Sequence, residues 1–441
     1  MDKKNTGRRL IELGKDVLIV LLACSALYLT YRTLLVGGLE DFWKGEDSGG
    51  TNLVKEQEES SVAWPVRMAV SSWNGESLSR YGVQYDTGDC DERFRMVASL
   101  LREALSSLGA AREVSQYEWR SALSGTTNLY FDFLGEVPLS VLSGWLSGTD
   151  NGLGDTVRRL TVSAKGEQVI LYYRDERTGT YYAREAEVVN TQQLSSITQG
   201  VTGNGAVFAF EQEQYSGLDG DTMILSKPPQ PEVYSAANPL AEELQTEELS
   251  QGGRLSELLL ALSFPDSSYI YSNNGLVIRN GNDTVRVSDG GVVKYEVLEG
   301  EQSRYLIPAK EGQPTLFEAA QACRWLADRT VGAMAGEARL YLREIRQTQN
   351  GWQIDFGYCL DGASVQVEDS GYAAHFQVEG DEITQFILQM RSYSKTGEQS
   401  IVLPEPQAMA AMQALGKEGG QLLLSYRDMG GDTVSASWVT D

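Results

Sequence analysis

Histidine is almost missing from this chain: His375 is the single one among 441 residues. A catalytic imidazole needs a nucleophile and an orienting acid brought to it, and zinc sites generally draw on several Cys or His ligands. Residues 373–378 around His375 read as a strand, so it is expected to be an ordinary strand residue. Cysteine is scarce too. Cys24, Cys90, Cys323 and Cys359 are the whole set, with no C-x-x-C spacing. That removes the support for a zinc or redox pair, and four cysteines in so long a chain argue against a disulfide framework. Buried free thiols are expected, with Cys323 and Cys359 as the pair best placed for one bridge. Positive charge is the third deficit. Lys and Arg number 37 against 61 Asp and Glu, a net charge of -24. A phosphate-binding footprint needs a basic patch, so nucleic acid is excluded as an expected partner. Acidity on this scale favours solubility.

Several motif fragments lack the context that chemistry would need. Asp47-Ser48-Gly49-Gly50 resembles a protease nucleophile loop, but it sits in a polar linker where nothing preorganises an oxyanion hole. Ser392 to Lys395 fits S-x-x-K, and Lys395-Thr396-Gly397 fits K-T-G. Those two elements should come from separate parts of a fold. Here they share Lys395, so the segment is expected to be a turn. Asp86, Asp89, Asp91 and Glu92 form an acidic cluster without EF-hand spacing. Negative charge at a helix N-terminus accounts for it. Asp219, Asp221 and Asp283 lie in Gly-rich turns, and no phosphate-cradling glycine loop occurs. No cofactor or metal is expected.

Long apolar runs are also lacking, with one exception. Val17 to Tyr31 is uncharged and mostly apolar, and Thr33-Leu34-Leu35-Val36 extends it beyond Arg32. About 20 residues suffice to cross a hydrocarbon core of about 30 Å. Residues 1–15 carry Lys3, Lys4, Arg8, Arg9 and Lys15 against Asp2 and Glu12, so the N-terminus should stay in the cytoplasm. Arg32 can snorkel at the outer end, and Tyr28 and Tyr31 suit an interfacial belt. A cleaved signal peptide fits less well, because no A-x-A triplet appears and apolar residues continue. Leu21-Leu22-Ala23-Cys24 resembles a lipobox, though apolar character persists after Cys24. The expected localisation is a single-pass cell-membrane protein with most of the chain extracytoplasmic.

The expected layout is a cytoplasmic tail at 1–16, a span at 17–36, a flexible polar linker at 37–62 and three folded parts. In the first part, 63–226, Phe94, Val97, Leu101, Ala104, Leu105 and Leu108 recur at helical spacing. Ser115-Gln116-Tyr117-Glu118 fits a capping box. Strands are expected at 128–133, 156–162, 168–174 and 181–189, with a helix from Pro138 to Trp145. Three prolines within 228–231 mark the boundary. The second part, 227–310, reads as one helix beside a meander at 269–271, 276–279, 284–287 and 292–297, with Asn-Gly and Asp-Gly turns. The third, 311–441, opens with a helix from Pro314 to about Ala335. Strands follow at 338–345, 352–358, 373–378, 383–390, 421–427 and 434–439, with a helix near 406–415. Clustered strands with packed helices define an α+β fold of antiparallel sheets.

Two stretches resemble the YycH/YycI family of Gram-positive bacteria. Asn128-Leu-Tyr-Phe-Asp-Phe-Leu-Gly-Glu-Val-Pro-Leu-Ser-Val-Leu142 is similar to that family's strand, proline and helix. Leu260-Ala-Leu-Ser-Phe-Pro-Asp-Ser-Ser268, with Asn274-Gly275 and Thr284-Val-Arg-Val-Ser-Asp-Gly290, is similar to its middle part. Residues 311–441, with Gly351-Trp352 after a strand, look like a YycI- or PepSY-type module. The resemblance implies a non-catalytic, membrane-anchored regulator. Its partner would be a two-component sensor histidine kinase governing the cell wall, met through the membrane span. A sister protein of the same family is a further expected partner. On the span, Leu21, Cys24, Ser25, Tyr28 and Arg32 share one stripe on which small residues permit close approach. Plain lipid-facing anchoring is the other reading of that stripe. A tethered extracytoplasmic module binding peptide, glycan or lipid is the alternative function, with an apolar pocket expected between the second and third parts.

Overall fold

The computed structural model describes residues 61–440 apart from 247–251, 265–267, 273–274, 282, 299, 310–311, 369 and 418. The expected tail and span lie outside the described residues, as do Leu21, Cys24, Ser25, Tyr28 and Arg32 and nearly all of the linker. Among the described residues no helix is long and apolar enough to cross a membrane.

The first part begins with β1 (Arg67–Trp73), β2 (Leu78–Val83), α1 (Thr87–Ser106), β3 (Arg112–Val114) and α2 (Gln116–Ser124). It continues with β4 (Asn128–Pro138), α3 (Leu139–Ser147), β5 (Thr156–Lys165), β6 (Gln168–Arg174), β7 (Tyr181–Asn190) and α4 (Thr191–Thr198). β1 to β7 form one sheet in the order β2-β1-β4-β5-β6-β7-β3. Asp86 caps α1 by accepting from the Asp89 amide at 3.0 Å, and Ser115 caps α2 by accepting from the Glu118 amide at 3.2 Å. Of the expected apolar stripe of α1, Phe94, Val97, Leu101, Ala104 and Leu105 are buried, whereas Leu108 lies beyond the helix end, half-buried and bridged to Ala186. β4 runs five residues past its expected end, to Pro138. Its two faces are both covered. Leu129, Phe131 and Phe133 join the main core, while Tyr130 packs with Trp119 and Phe208 on the other side. A strand covered on both faces reads as a continuous apolar run. β8 (Val207–Phe208) and β9 (Met223–Ile224) form a small separate ladder.

The second part contains β10 (Glu232–Ala237), α5 (Ala241–Thr246), α6 (Arg254–Ala261), β11 (Ser268–Ser272), β12 (Gly275–Asn280), β13 (Asp283–Ser288) and β14 (Val292–Glu296). The third opens with α7 (Leu316–Arg329), β15 (Arg339–Gln347), β16 (Gly351–Leu360), β17 (Ala363–Val367), β18 (Ala374–Glu379) and β19 (Glu382–Gln389). β20 (Ser392–Gln399), α8 (Glu405–Ala414), β21 (Leu422–Asp428), β22 (Thr433–Val434) and β23 (Ala436–Thr440) complete it. Strands from both parts share one 11-stranded sheet, ordered β11-β12-β13-β14-β19-β18-β16-β17-β21-β23, with β15 also on β16. The join is β14 against β19, where Tyr295 lies opposite Phe386. Tyr295, Tyr305 and Phe386 pack their rings there at centroid distances of 4.9 to 5.4 Å. β17 and β21 make the one parallel ladder among the described residues.

The segment expected to be a turn at Ser392–Lys395 is instead β20, which pairs with β10 in a second sheet, β20-β10-β22. Apart from buried Tyr393 and half-buried Ser392 its residues are exposed, so the local pattern carries no alternation of apolar and polar residues from which to read a strand. The α7 helix ends at Arg329, and a tighter turn at Gly332–Met334 replaces the expected last stretch.

The first part docks directly on the large sheet. β4 crosses β15 at Gly135, where a Cβ would stand 2.0 Å from the Leu342 carbonyl oxygen. Only glycine allows that approach. Arg339 reaches across to Asp91 at 2.7 Å and to the Pro65 carbonyl at 2.9 Å.

Candidate functional site

A buried polar cluster lies where the first part meets the large sheet. β1 contributes Arg67, β4 contributes Asp132, and β5 contributes Arg158 and Arg159. Asp132 accepts from Arg67 at 3.0 Å and from the Leu134 amide at 2.8 Å. Arg158 and Arg159 lie 3.4 and 3.6 Å from the same carboxylate. Burial alone would raise the Asp132 pKa, but the guanidiniums of Arg158, Arg67 and Arg159 outweigh it and hold the carboxyl well below its usual range. Arg159 also pairs with Asp219 at 3.1 Å, and Arg120 pairs with Asp221 at 3.1 Å. Across the seam, Arg67 donates to the Gly362 carbonyl at 3.3 Å, and the Tyr85 hydroxyl accepts from the Leu424 amide at 3.1 Å. A crevice of about 10 Å³, room for about one water, opens onto the cluster. Glu405, in the first turn of α8, lines it with Arg67, Tyr85, Asp132, Arg159 and Asp221. Burial pushes the Glu405 carboxyl up to about 7.

Most of the acidic residues that stood out in the sequence have structural partners. Asp89 accepts from the Tyr81 hydroxyl at 2.8 Å and pairs with Arg93 at 3.2 Å, and Asp91 pairs with Arg339. Asp283 pairs with Arg304 at 2.9 Å. Among the described residues no group of three or more His, Cys, Asp or Glu side chains is arranged to hold a metal ion. His375 Nδ1 lies 2.7 Å from Asp355 Oδ1 on the neighbouring strand, and its ring stacks on Tyr372 at 5.2 Å. No Ser, Thr or Cys hydrogen-bonds to it among the described residues, so this pair is a histidine and an acid without a nucleophile. Lys395 of the S-x-x-K fragment lies 3.4 Å from Asp361 and 3.6 Å from Glu232, tying β20 to β10 and the β16–β17 turn. Cys90, Cys323 and Cys359 are free and buried. Burial pushes the Cys90 thiol up to about 12.

A larger cavity, about 330 Å³, lies between α1, β1, β2 and the segment after α4, lined in part by Val70, Tyr81, Arg93, Met96, Val97 and Ile197. It falls within the first part, whereas the sequence led to a pocket between the second and third. Sequence reasoning also missed the Arg67–Asp132–Arg158–Arg159 cluster. Its one local signal is a charged residue interrupting the apolar run of β4.

These features describe an α+β scaffold of packed antiparallel sheets, cross-braced by buried arginine–carboxylate pairs. The crystal structure of YycH from Bacillus subtilis is similar to it, with a TM-score of 0.51 and 10% identity over 88% of this chain and 95% of that one. The resemblance to YycH read from the sequence is thus borne out at the level of the fold. No family model matches the chain, and no curated protein matches it.

Proposed function

We propose that this protein is a membrane-anchored, extracytoplasmic regulator of a two-component sensor histidine kinase in cell-wall homeostasis, without catalytic activity of its own. The observation that carries this reading is the YycH-like fold, which extends over nearly the whole folded chain. The N-terminal apolar run then serves as the anchor, and its stripe of Leu21, Cys24, Ser25, Tyr28 and Arg32 meets the kinase span. Residues 311–441 act as a PepSY-like module, and a sister YycH/YycI-type protein is a further partner. Regulation requires contacts that differ between two kinase states. Photocrosslinking from positions 21, 24 and 28 in native membranes tests the reading. Capture of a sensor kinase from one helix face supports it. Capture of lipid alone from every position overturns the span-mediated part.

The 330 Å³ cavity, lined by polar as well as apolar side chains, favours a second reading, a tethered extracytoplasmic module that binds peptide, glycan or lipid. Filling it by Val97→Trp should abolish ligand-induced thermal stabilisation if that reading holds.

A further inference from the structure

We propose that the outer face of β12, β13 and β14 docks an extended, acidic segment of a partner protein. Strand alternation fixes this face. Leu276, Ile278, Val285, Val287, Val293 and Tyr295 are buried inward, which turns Arg279, Arg286 and Lys294 outward. All three are exposed. Arg286 lies directly opposite Lys294, and Arg279 lies opposite Thr284, on the diagonal from Arg286.

Like charges directly opposite weaken a ladder. This chain carries 61 carboxylates, yet none forms an ion pair with these three cations among the described residues. Glu296 lies on the same face and also makes no such pair. By contrast, Arg304 at the inner rim of the same meander is fixed by Asp283 at 2.9 Å. An unneutralised basic strip on a chain of net charge -24 is complementary to an acidic ligand.

The row through Arg286 shows the ligand's pattern. It runs Ile270, Val277, Arg286, Lys294, Ile387 across five paired strands. Ile270, at its end, is 62% exposed on an edge strand whose outer side is unpaired among the described residues. Cations flanked by apolar residues match a peptide that offers both carboxylates and apolar side chains. Anionic membranes select larger basic clusters of about four to eight residues, so a peptide fits better than a lipid surface.

The test uses the full chain in zwitterionic nanodiscs and a fluorescein-labelled peptide of alternating Glu and Val, read by anisotropy. Binding should weaken about tenfold or more in Arg286→Glu/Lys294→Glu, and should weaken as salt rises from ~50 to ~300 mM. Arg177→Glu, on an exposed arginine away from this face, should leave it unchanged, and a Lys–Val peptide should not bind. If the double variant does not fold, Arg286→Gln/Lys294→Gln carries the same comparison. Unchanged affinity in the variants, or absence of peptide binding, overturns the proposal. So does binding only to vesicles of phosphatidylglycerol.

Discussion

Asp132 is the residue on which most charge converges. Its carboxylate is buried among Arg67, Arg158 and Arg159. Removing one member of such a group leaves the others buried without compensation, a loss of roughly 3–5 kcal/mol. Asp132→Asn should lower the stability of the folded protein by about that much in urea unfolding near pH 7. Its folded pKa is depressed, so its contribution is complete above the unfolded value of about 3.9 and disappears as pH falls through the folded value. The variant should therefore lose less on acidification than the wild type. Glu405 has the opposite sign. Its folded value of about 7 lies above the unfolded value, so the folded state holds the extra proton between them. That term makes stability fall as pH rises from about 4 to about 7. Glu405→Gln should remove that slope and raise stability above that of the wild type at pH 8, measured by urea unfolding across pH. An unchanged slope would place the carboxyl in solvent.

At the scale of elements, the decisive contacts are those where one element crosses another. β4 approaches β15 so closely that a methyl at Gly135 would meet the Leu342 carbonyl and the Arg343 backbone. Backbone cannot yield as a flexible side chain can. Gly135→Ala should lower the midpoint of thermal unfolding by several degrees, since roughly 1–3 kcal/mol of overpacking strain is typical. A midpoint within a degree of wild type would mean that the crossing is looser than its geometry. Helices and meander strands were legible in the sequence because their partners are local. α1 showed its stripe, α2 its cap, α7 its opening proline, and β12 to β14 their turn residues. β20 was not legible, because its ladder partner β10 lies about 160 residues away and its outward residues are polar. The buried arginine cluster was hidden for the same reason, since Arg67 and Asp132 meet only across paired strands.

For the whole molecule, the large sheet makes the second part dependent on the third. β14 needs β19, and β10 lies between β20 and β22. A fragment of residues 233–309 should lack a cooperative thermal transition by circular dichroism, because its strand edges and apolar face would be open. A sharp transition in that fragment would show that it folds alone. The α+β class, the scarcity of catalytic and metal-ligating side chains, the apolar N-terminal run and most elements were readable from the order of residues alone. These follow from composition, periodicity and capping, which act over a few residues. What the tertiary structure added is that two apparent parts share one sheet, that Arg67, Arg158 and Arg159 converge on Asp132, and that three cations stand together on an open face. Those outcomes depend on strand register between distant segments, and register is set by mutual burial that no local stretch contains.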